Sequence, residues 1–364
     1  MSRNATATIH LGALRANLRR IRQIAPRSRV MAVVKADGYG HGLERVVRAL
    51  GDADAFGVAS IADGQRLRAA GVGHRIVVLS GIDEPGDLAE VRRLALDIVV
   101  HHAAQVAWIA ADLDRRPLRV WLKIDTGMHR LGVAPDAVAA LHARLLALPQ
   151  VDREIVLMSH LASSDEPASP KTGIQLHQFA LATRGIAGPA SIANSAAISG
   201  FPDAQRDWVR AGGWLYGLSV VDGKSAADFG FQPAMSLDSK LVAINRVAKG
   251  EAIGYGETWR CPEDMDIGVV AMGYGDGYPR SAPSGTPVLL HGRRAGIVGR
   301  VSMDLMTIDL RGHPQARIND RVLLWGPGLP VERLADAAGT ISYELTCGIT
   351  RRVMFLEDDS NGTT

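Results

Sequence analysis

Eight short runs rich in Val, Ile, Ala and Leu recur along roughly the first 220 residues, separated by longer segments at helical spacing, which is the pattern of repeated βα units. The runs are VMAVVK (30–35), AFGVAS (55–60), IVVLSG (76–81), DIVV (97–100), RVWLKID (119–125), EIVLMSHL (154–161), ASIANS (190–195) and WVRAGGWLYG (208–217). Between them, PDAVAALHARLLALP sets Val138, Leu141, Leu145 and Leu148 at three- and four-residue steps, on one helix face. Eight such units predict a (β/α)8 barrel of the TIM type. A doubly wound open sheet has the same periodicity, so spacing alone leaves both open.

From about residue 231 the texture changes. FQPAMSLDSKLVAINRVAKGEAIGYGETW, MDIGVVAMGYGDGYP, TPVLLHGRRAGIVGRVS, LMTIDL and DRVLLWG alternate strand-like runs with Gly, Pro and Asp turns. The expected fold is therefore α/β plus all-β, with a barrel over 1–230 and a β-rich domain over 231–364, interrupted by one helix, PVERLADAAG. The polar tail LEDDSNGTT is expected to fray.

At 364 residues the chain is long enough to bury two cores. The net charge of +3 is spread without a basic block or interleaved aromatics, which argues against a nucleic-acid surface. No stretch reaches the roughly 18 apolar residues of a membrane span, and MSRNATATIHLGALRANLRR lacks an apolar signal region, so a cytoplasmic protein without membrane partners is expected. Cys261 and Cys347 are too few and too far apart for a disulfide framework or a zinc site, so reduced thiols and no metal are expected.

In a barrel, reactive groups gather at the C-terminal ends of the strands, where the βα loops converge. The first run ends in Lys35, the fifth carries Lys123 and Asp125, and the sixth delivers His160. The seventh closes with Asn194 and Ser195, and the eighth contains Arg210 followed by Gly212 and Gly213. Each residue alone has an ordinary structural explanation; their coincidence at one end of one barrel does not. A lysine desolvated among other cations has its ammonium form disfavoured and can act as an amine toward an aldehyde. Pyridoxal 5'-phosphate needs such a lysine, a phosphate site and a partner for its ring nitrogen. Ser195 offers a hydroxyl, the AGG run lets backbone N–H groups approach a phosphate, and Arg210 can face the ring nitrogen without giving it a proton. GYGDG lacks phosphate-loop spacing and is discounted.

VVKADGYGHG, LKIDTGMHRLG, SHLASSD, ANSAA, VRAGGWLYG, AIGYGETW, GYGDGYPR, GRVSMDLMTIDL and ISYELTCG, in that order, resemble the bacterial alanine racemases from about residue 5 to about 355. The resemblance implies reversible racemisation of L- and D-alanine by a homodimer whose active sites are shared between subunits. It implies that Lys35 anchors the cofactor and is one base, and that Tyr255 of the other subunit is the opposite base. Tyr39, Ser195, Gly212, Gly213 and Tyr343 match its phosphate contacts, Arg210 its ring-nitrogen partner, and His160 a link between Arg210 and Tyr255. Arg130 matches the carboxylate-binding arginine, with the Met303 N–H as companion, and Lys123 a lysine often carbamylated in the family. Tyr274 and Arg280 match residues lining the access path. Gly213 departs from the pattern, since relatives often carry a larger residue there. Apart from the resemblance, Tyr255, Met303 and Tyr343 read as ordinary packing residues.

Three other readings share parts of this kit. A serine or broad-specificity racemase would use the same motifs. A decarboxylase of related architecture is expected to face the ring nitrogen with an acid, where this chain has Arg210. A pyridoxal-phosphate carrier needs no β domain.

Overall fold

The computed structural model describes residues 5–360. After a first strand, β1 (Thr6–His10), come β2 (Arg29–Val33), β3 (Ala55–Val58), β4 (Arg75–Val78), β5 (Asp97–Val100), β6 (Val120–Lys123), β7 (Val156–Met158), β8 (Ala190–Ser191) and β9 (Trp208–Ala211). β2 to β9 pair in chain order and in parallel, and β9 closes on β2 through Val30↔Val209 and Met31↔Arg210. Each of the eight predicted runs supplies one strand, and the closed ring replaces the doubly wound alternative.

Met31, Val77, Trp121 and Trp208 fill the barrel together with Ala55, Val99, Val156 and Met158. The Trp121 and Trp208 rings lie 5.4 Å apart. Residues on the other strand face, such as Val30, Ile98, Val120 and Leu122, are buried in the larger core outside the barrel. Strands apolar on both faces explain why these runs read as continuous rather than alternating.

The second sheet is built from β10 (Met235–Val247), β13 (Met265–Val270), β14 (Pro287–Leu290), β15 (Arg293–Gly296), β16 (Met306–Asp309), β17 (Arg321–Trp325) and β18 (Met354–Asp358). The short strands β11 (Ala252–Ile253) and β12 (Trp259–Arg260) form a separate hairpin. The first strand, β1, belongs to this sheet and not to the barrel. It lies between β10, to which it is antiparallel, and β18, to which it is parallel. β1 thus stands outside the barrel although it falls within the stretch expected to form it. TATIH alternates, with Ala7 and Ile9 buried, and a period-two strand of five residues carries no local mark of the distant strand it will pair with.

The expectation for the tail is corrected as well. Leu356–Asp358 lies inside β18, where Glu357 is held by Arg45 and Arg48, and Asp358 lies 3.1 Å from His10 Nδ1; the last four residues of the predicted frayed segment lie outside the described residues. Besides the expected helix Val331–Ala338 there is a second, Ser342–Cys347, too short to leave a periodic signal. Among the described residues, no helix is long and apolar enough to cross a membrane.

Because β1 is bonded on both sides, Thr8→Pro removes a ladder donor from the middle of the sheet. It is expected to lower stability by about 2 kcal/mol or more in urea denaturation. A midpoint unchanged from the parent would contradict this place for β1.

Candidate active site

Lys35 follows β2 by two residues and opens a left-handed turn. Ala36, Asp37, Gly38 and Tyr39 have φ of 52°, 53°, 63° and 53°, and Gly40 has 78°. The N–H of Gly38 donates to Val34 O and that of Gly40 to Ala36 O, both at 2.9 Å. Left-handed backbone costs an L-residue about 1–2 kcal/mol, so Ala36, Asp37 and Tyr39 are held there by their surroundings. The Tyr39 ring stacks on Tyr216 at 4.7 Å, and Tyr216 Oη donates to Val33 O. Buried His41 donates from Nδ1 to Tyr39 O at 2.9 Å. A Cβ on Gly40 would overlap the Thr346 carbonyl, so only glycine lets the helix Ser342–Cys347 lie against the turn. The result is that Lys35 and Tyr39 open onto one cavity.

That cavity, of about 1250 Å³, is lined by Lys35, Tyr39, Lys123, Arg130, His160, Ser195, Arg210, Gly212, Gly213 and Tyr343, so ten of the residues singled out in the sequence meet there. Arg210, 4% exposed, donates from Nη1 to Ser191 O and Oγ and from Nη2 to Ser159 O and Ile192 O, and its Nη2 lies 3.3 Å from His160 Nδ1. No ion pair to Lys35, Lys123, Arg130 or Arg210 forms among the described residues. The charges therefore act on each other. Burial and then Arg130 lower the Lys35 pKa. Burial, with Arg210 and Arg130 next, brings Lys123 down to about 8. Burial and Arg210 hold His160 well below the ordinary histidine value, so it is neutral. Arg210 is pulled down by burial to about 10 and keeps its charge at neutral pH.

At the other wall, Ser195 Oγ accepts the Gly212 N–H at 2.8 Å, and it begins the helix Ser195–Gly200, which Asn194 caps through the Ala197 N–H. A Cβ on Gly212 would stand 2.6 Å from Tyr39 Oη, and one on Gly213 would overlap Tyr343 Oη and Val220. Gly213, the departure from the family pattern, is thus what lets Tyr343 sit where it does in this chain. Burial pushes both tyrosine pKa values up, so both hydroxyls remain donors. Three hydroxyls and the glycine backbone face four cations, which fits a phosphate-bearing aldehyde with its carbonyl toward Lys35.

Tyr255, Met303, Tyr274 and Arg280 do not line this cavity. They lie exposed on the β-rich part, with Tyr255 69%, Met303 52% and Tyr274 39% accessible. Their turns pack together: the N–H groups of Tyr274 and Gly275 donate to Ser302 O and Met303 O, and Arg300 lies against the Gly254 and Gly256 backbone beside Tyr255. Asp125, at a strand end in the sequence, does not line the cavity; its carboxylate accepts the Gly127 and His129 N–H groups and shapes the loop before Arg130. From the sequence, Cys347 is only a reduced thiol and GYGDG is discounted as a phosphate loop; the structure places the free Cys347 thiol on the cavity and buries the GYGDG aspartate, Asp276, which accepts the Gly273 N–H.

Fold and site together define a barrel enzyme with a strand-end lysine in a cationic cavity, fused to a β-rich domain. The chain matches the alanine racemase N-terminal domain over residues 9–220 and the alanine racemase C-terminal domain over residues 234–356. It is 51% identical to the alanine racemase of Nitrosococcus oceani over 350 residues, 95% of this chain and 97% of that one. The crystal structure of the biosynthetic alanine racemase from Pseudomonas aeruginosa superposes with a TM-score of 0.95 at 45% identity, covering 98% of this chain and 99% of that one. The structure of the Bartonella henselae alanine racemase with covalently bound pyridoxal phosphate shares the fold, at a TM-score of 0.89 and 24% identity over 98% of this chain and 99% of that one. The chain belongs to the alanine racemase family.

The electrostatics of the cavity are measurable in cofactor-free protein. With Lys123 at about 8 when folded against an ordinary 10.5, the unfolded chain binds more protons between those values, so stability rises with pH across that window. Lys123→Met is expected to flatten the rise in urea denaturation between about pH 8 and 10.5. Equal slopes for parent and variant would contradict the shift.

Proposed function

We propose that this chain interconverts L- and D-alanine with pyridoxal 5'-phosphate anchored at Lys35, and that each active site is shared between two subunits of a homodimer. The observation that carries the reading is Lys35, an amine held low in pKa on a cationic cavity with a phosphate cradle, in a chain of the alanine racemase family. When bound, the cofactor holds the amino acid by its amine and acidifies the Cα proton by drawing electrons into its ring.

The chain's own groups do the rest. Tyr39, Ser195, Tyr343 and the Gly212 and Gly213 backbone bind the phosphate. Arg210, its guanidinium already committed to carbonyls, presents N–H toward the ring nitrogen and keeps its own proton. Arg130, which has no ion-pair partner within the described residues, binds the substrate carboxylate, with the Met303 N–H of the partner subunit opposite. Lys35 Nζ moves a proton at one face of Cα, and Tyr255 Oη of the partner subunit moves one at the other. Proton removal by one and return by the other inverts the centre. Neutral His160, beside Arg210, relays that charge toward Tyr255.

Lys123 makes no hydrogen bond or ion pair among the described residues, and with its pKa brought down to about 8 roughly a tenth of it is free amine at pH 7. Such an amine can add carbon dioxide, and the carbamate would hold Arg130 in place. Two features support the shared site. The cavity exceeds the roughly 300–1,000 Å³ of a typical ligand pocket, and the tyrosines and Met303 that complete the kit stand exposed elsewhere on the same chain. Tyr274 and Arg280 of the partner subunit would border the access path. Free Cys261 and Cys347 accord with a cytoplasmic enzyme.

In deuterated water with pyridoxal phosphate, L-alanine is expected to gain Cα deuterium while its optical signal decays to zero. Alanine that keeps both its proton and its handedness would end the racemase reading. Tyr255→Phe is expected to lower kcat by about 10²–10⁴-fold. Mixing inactive Lys35→Ala chains with Tyr255→Phe chains tests sharing directly. Random exchange leaves one intact site in each mixed dimer and restores about a quarter of the parental activity, whereas sites made within one chain restore none.

A further inference from the structure

The helix Lys171–Ala182 lies against the barrel with Thr172, Gln175 and Phe179 on its buried face. Gln175 is 1% exposed, and its amide reaches the loop that follows β7. Its Oε1 accepts the Ala162 N–H at 2.8 Å, and its Nε2 donates to His160 O at 3.0 Å and to Thr126 Oγ1 at 3.3 Å. Thr126 Oγ1 lies 2.7 Å from Ser159 Oγ, which donates to Ile124 O. One amide thus clamps the chain from the His160 carbonyl to the Ala162 N–H and, through Thr126, ties the ends of β6 and β7 together. Among the described residues, the main chain of 160–162 makes its hydrogen bonds to Gln175 alone.

Arg210 finds partners at the start of the same loop, just after β7. Its Nη2 donates to Ser159 O at 2.6 Å and faces His160 Nδ1. Residues 160–162 have no regular secondary structure, so no sheet ladder holds them in place. Whatever fixes their peptides fixes the imidazole as well. We propose that Gln175 is a positioning residue of this enzyme, which through the 160–162 main chain holds the His160 ring on the Arg210 guanidinium. A glutamine suits the task because it carries an acceptor and two donors without a charge, and all three are used. A carboxylate in its place would meet His160 O with no proton to donate, and a shorter side chain would leave buried peptide groups unpaired.

The inference deepens the racemase reading and rests on it only for its kinetic half; the spectroscopic half needs no substrate. Histidine ring nitrogens are observed by ¹⁵N NMR in the parent and in Gln175→Ala, with the His160 signals identified by their loss in His160→Asn. In the parent, Nδ1 accepts from Arg210, so His160 is expected to show one tautomer, protonated at Nε2. In Gln175→Ala the two nitrogen signals are expected to move toward each other as the ring leaves Arg210. With alanine, kcat is expected to fall about 10- to 100-fold with KM changed less than about threefold, as for a displaced but intact site. Unchanged His160 signals overturn the proposal whatever the rate does. Moved signals with unchanged kcat overturn it too, since the position would then not matter. If Gln175→Ala does not fold, the same measurements on Gln175→Glu decide. The protonated acid supplies one donor and one acceptor, so His160 is expected to match the parent at low pH and to depart from it as the glutamate ionises. A His160 signal that ignores this titration overturns the assignment. Should the parent fail to racemise alanine, the NMR comparison still stands and only the racemase reading falls.

Discussion

Lys35, Lys123, Arg130 and Arg210 surround one cavity without a carboxylate paired to any of them among the described residues, and the rest of the site follows from that charge. Arg210 is the fixed member. Its guanidinium lies among the carbonyls of Ser159, Ser191 and Ile192, does not release its proton, and adds to the burial that disfavours the charged forms of Lys123 and His160. Lys123 comes down to about 8, Lys35 is lowered as well, and His160 stays neutral. An excess of positive charge in partly desolvated surroundings is unfavourable for the empty protein and favourable for whatever anion it receives. The same imbalance therefore favours the neutral form of the amines and the binding of anionic groups.

Placing these groups takes both folding units. The barrel brings strand ends together, and the turn after β2 aims Lys35 and Tyr39 at one cavity by accepting left-handed backbone at three non-glycine residues. That strain is offset by packing on Tyr216 and His41 and by the helix Ser342–Cys347 pressing against Gly40. Tyr343 comes from that helix, so the hydroxyl-lined wall of the cavity is itself built across the boundary between barrel and β sheet. The insertion of β1 beside β10 and β18 holds the two units together, because the chain enters the barrel only after crossing the second sheet.

Much of this was legible in the residues. Strand position is a local property set by β-branched content and length, so all eight barrel strands, and with them Lys35, Lys123, His160, Ser195 and Arg210, could be read at strand ends. Other features were not. TATIH forms a strand because β10 and β18 flank it, and β18 forms one only because β1 lies beside it. Ser342–Cys347 is too short for periodicity. Asp125 stood at a strand end but turned to cap its own loop. Gln175 left a faint trace, a polar residue on an otherwise buried helix face, whose meaning depends on the peptide groups it meets.

By itself the sequence determined the barrel's repeating units, the change to a β-rich texture and the residue types available for chemistry, since all of these rest on periodicity and composition over short windows. Only the tertiary structure decided that ten of those residues share a cavity while Tyr255, Met303, Tyr274 and Arg280 stand exposed away from it. The physical reason is that barrel closure, the pairing of β1 with β18 and the lowering of the Lys35 and Lys123 pKa values by burial and nearby arginines all arise between residues distant in the chain, where no local pattern records them.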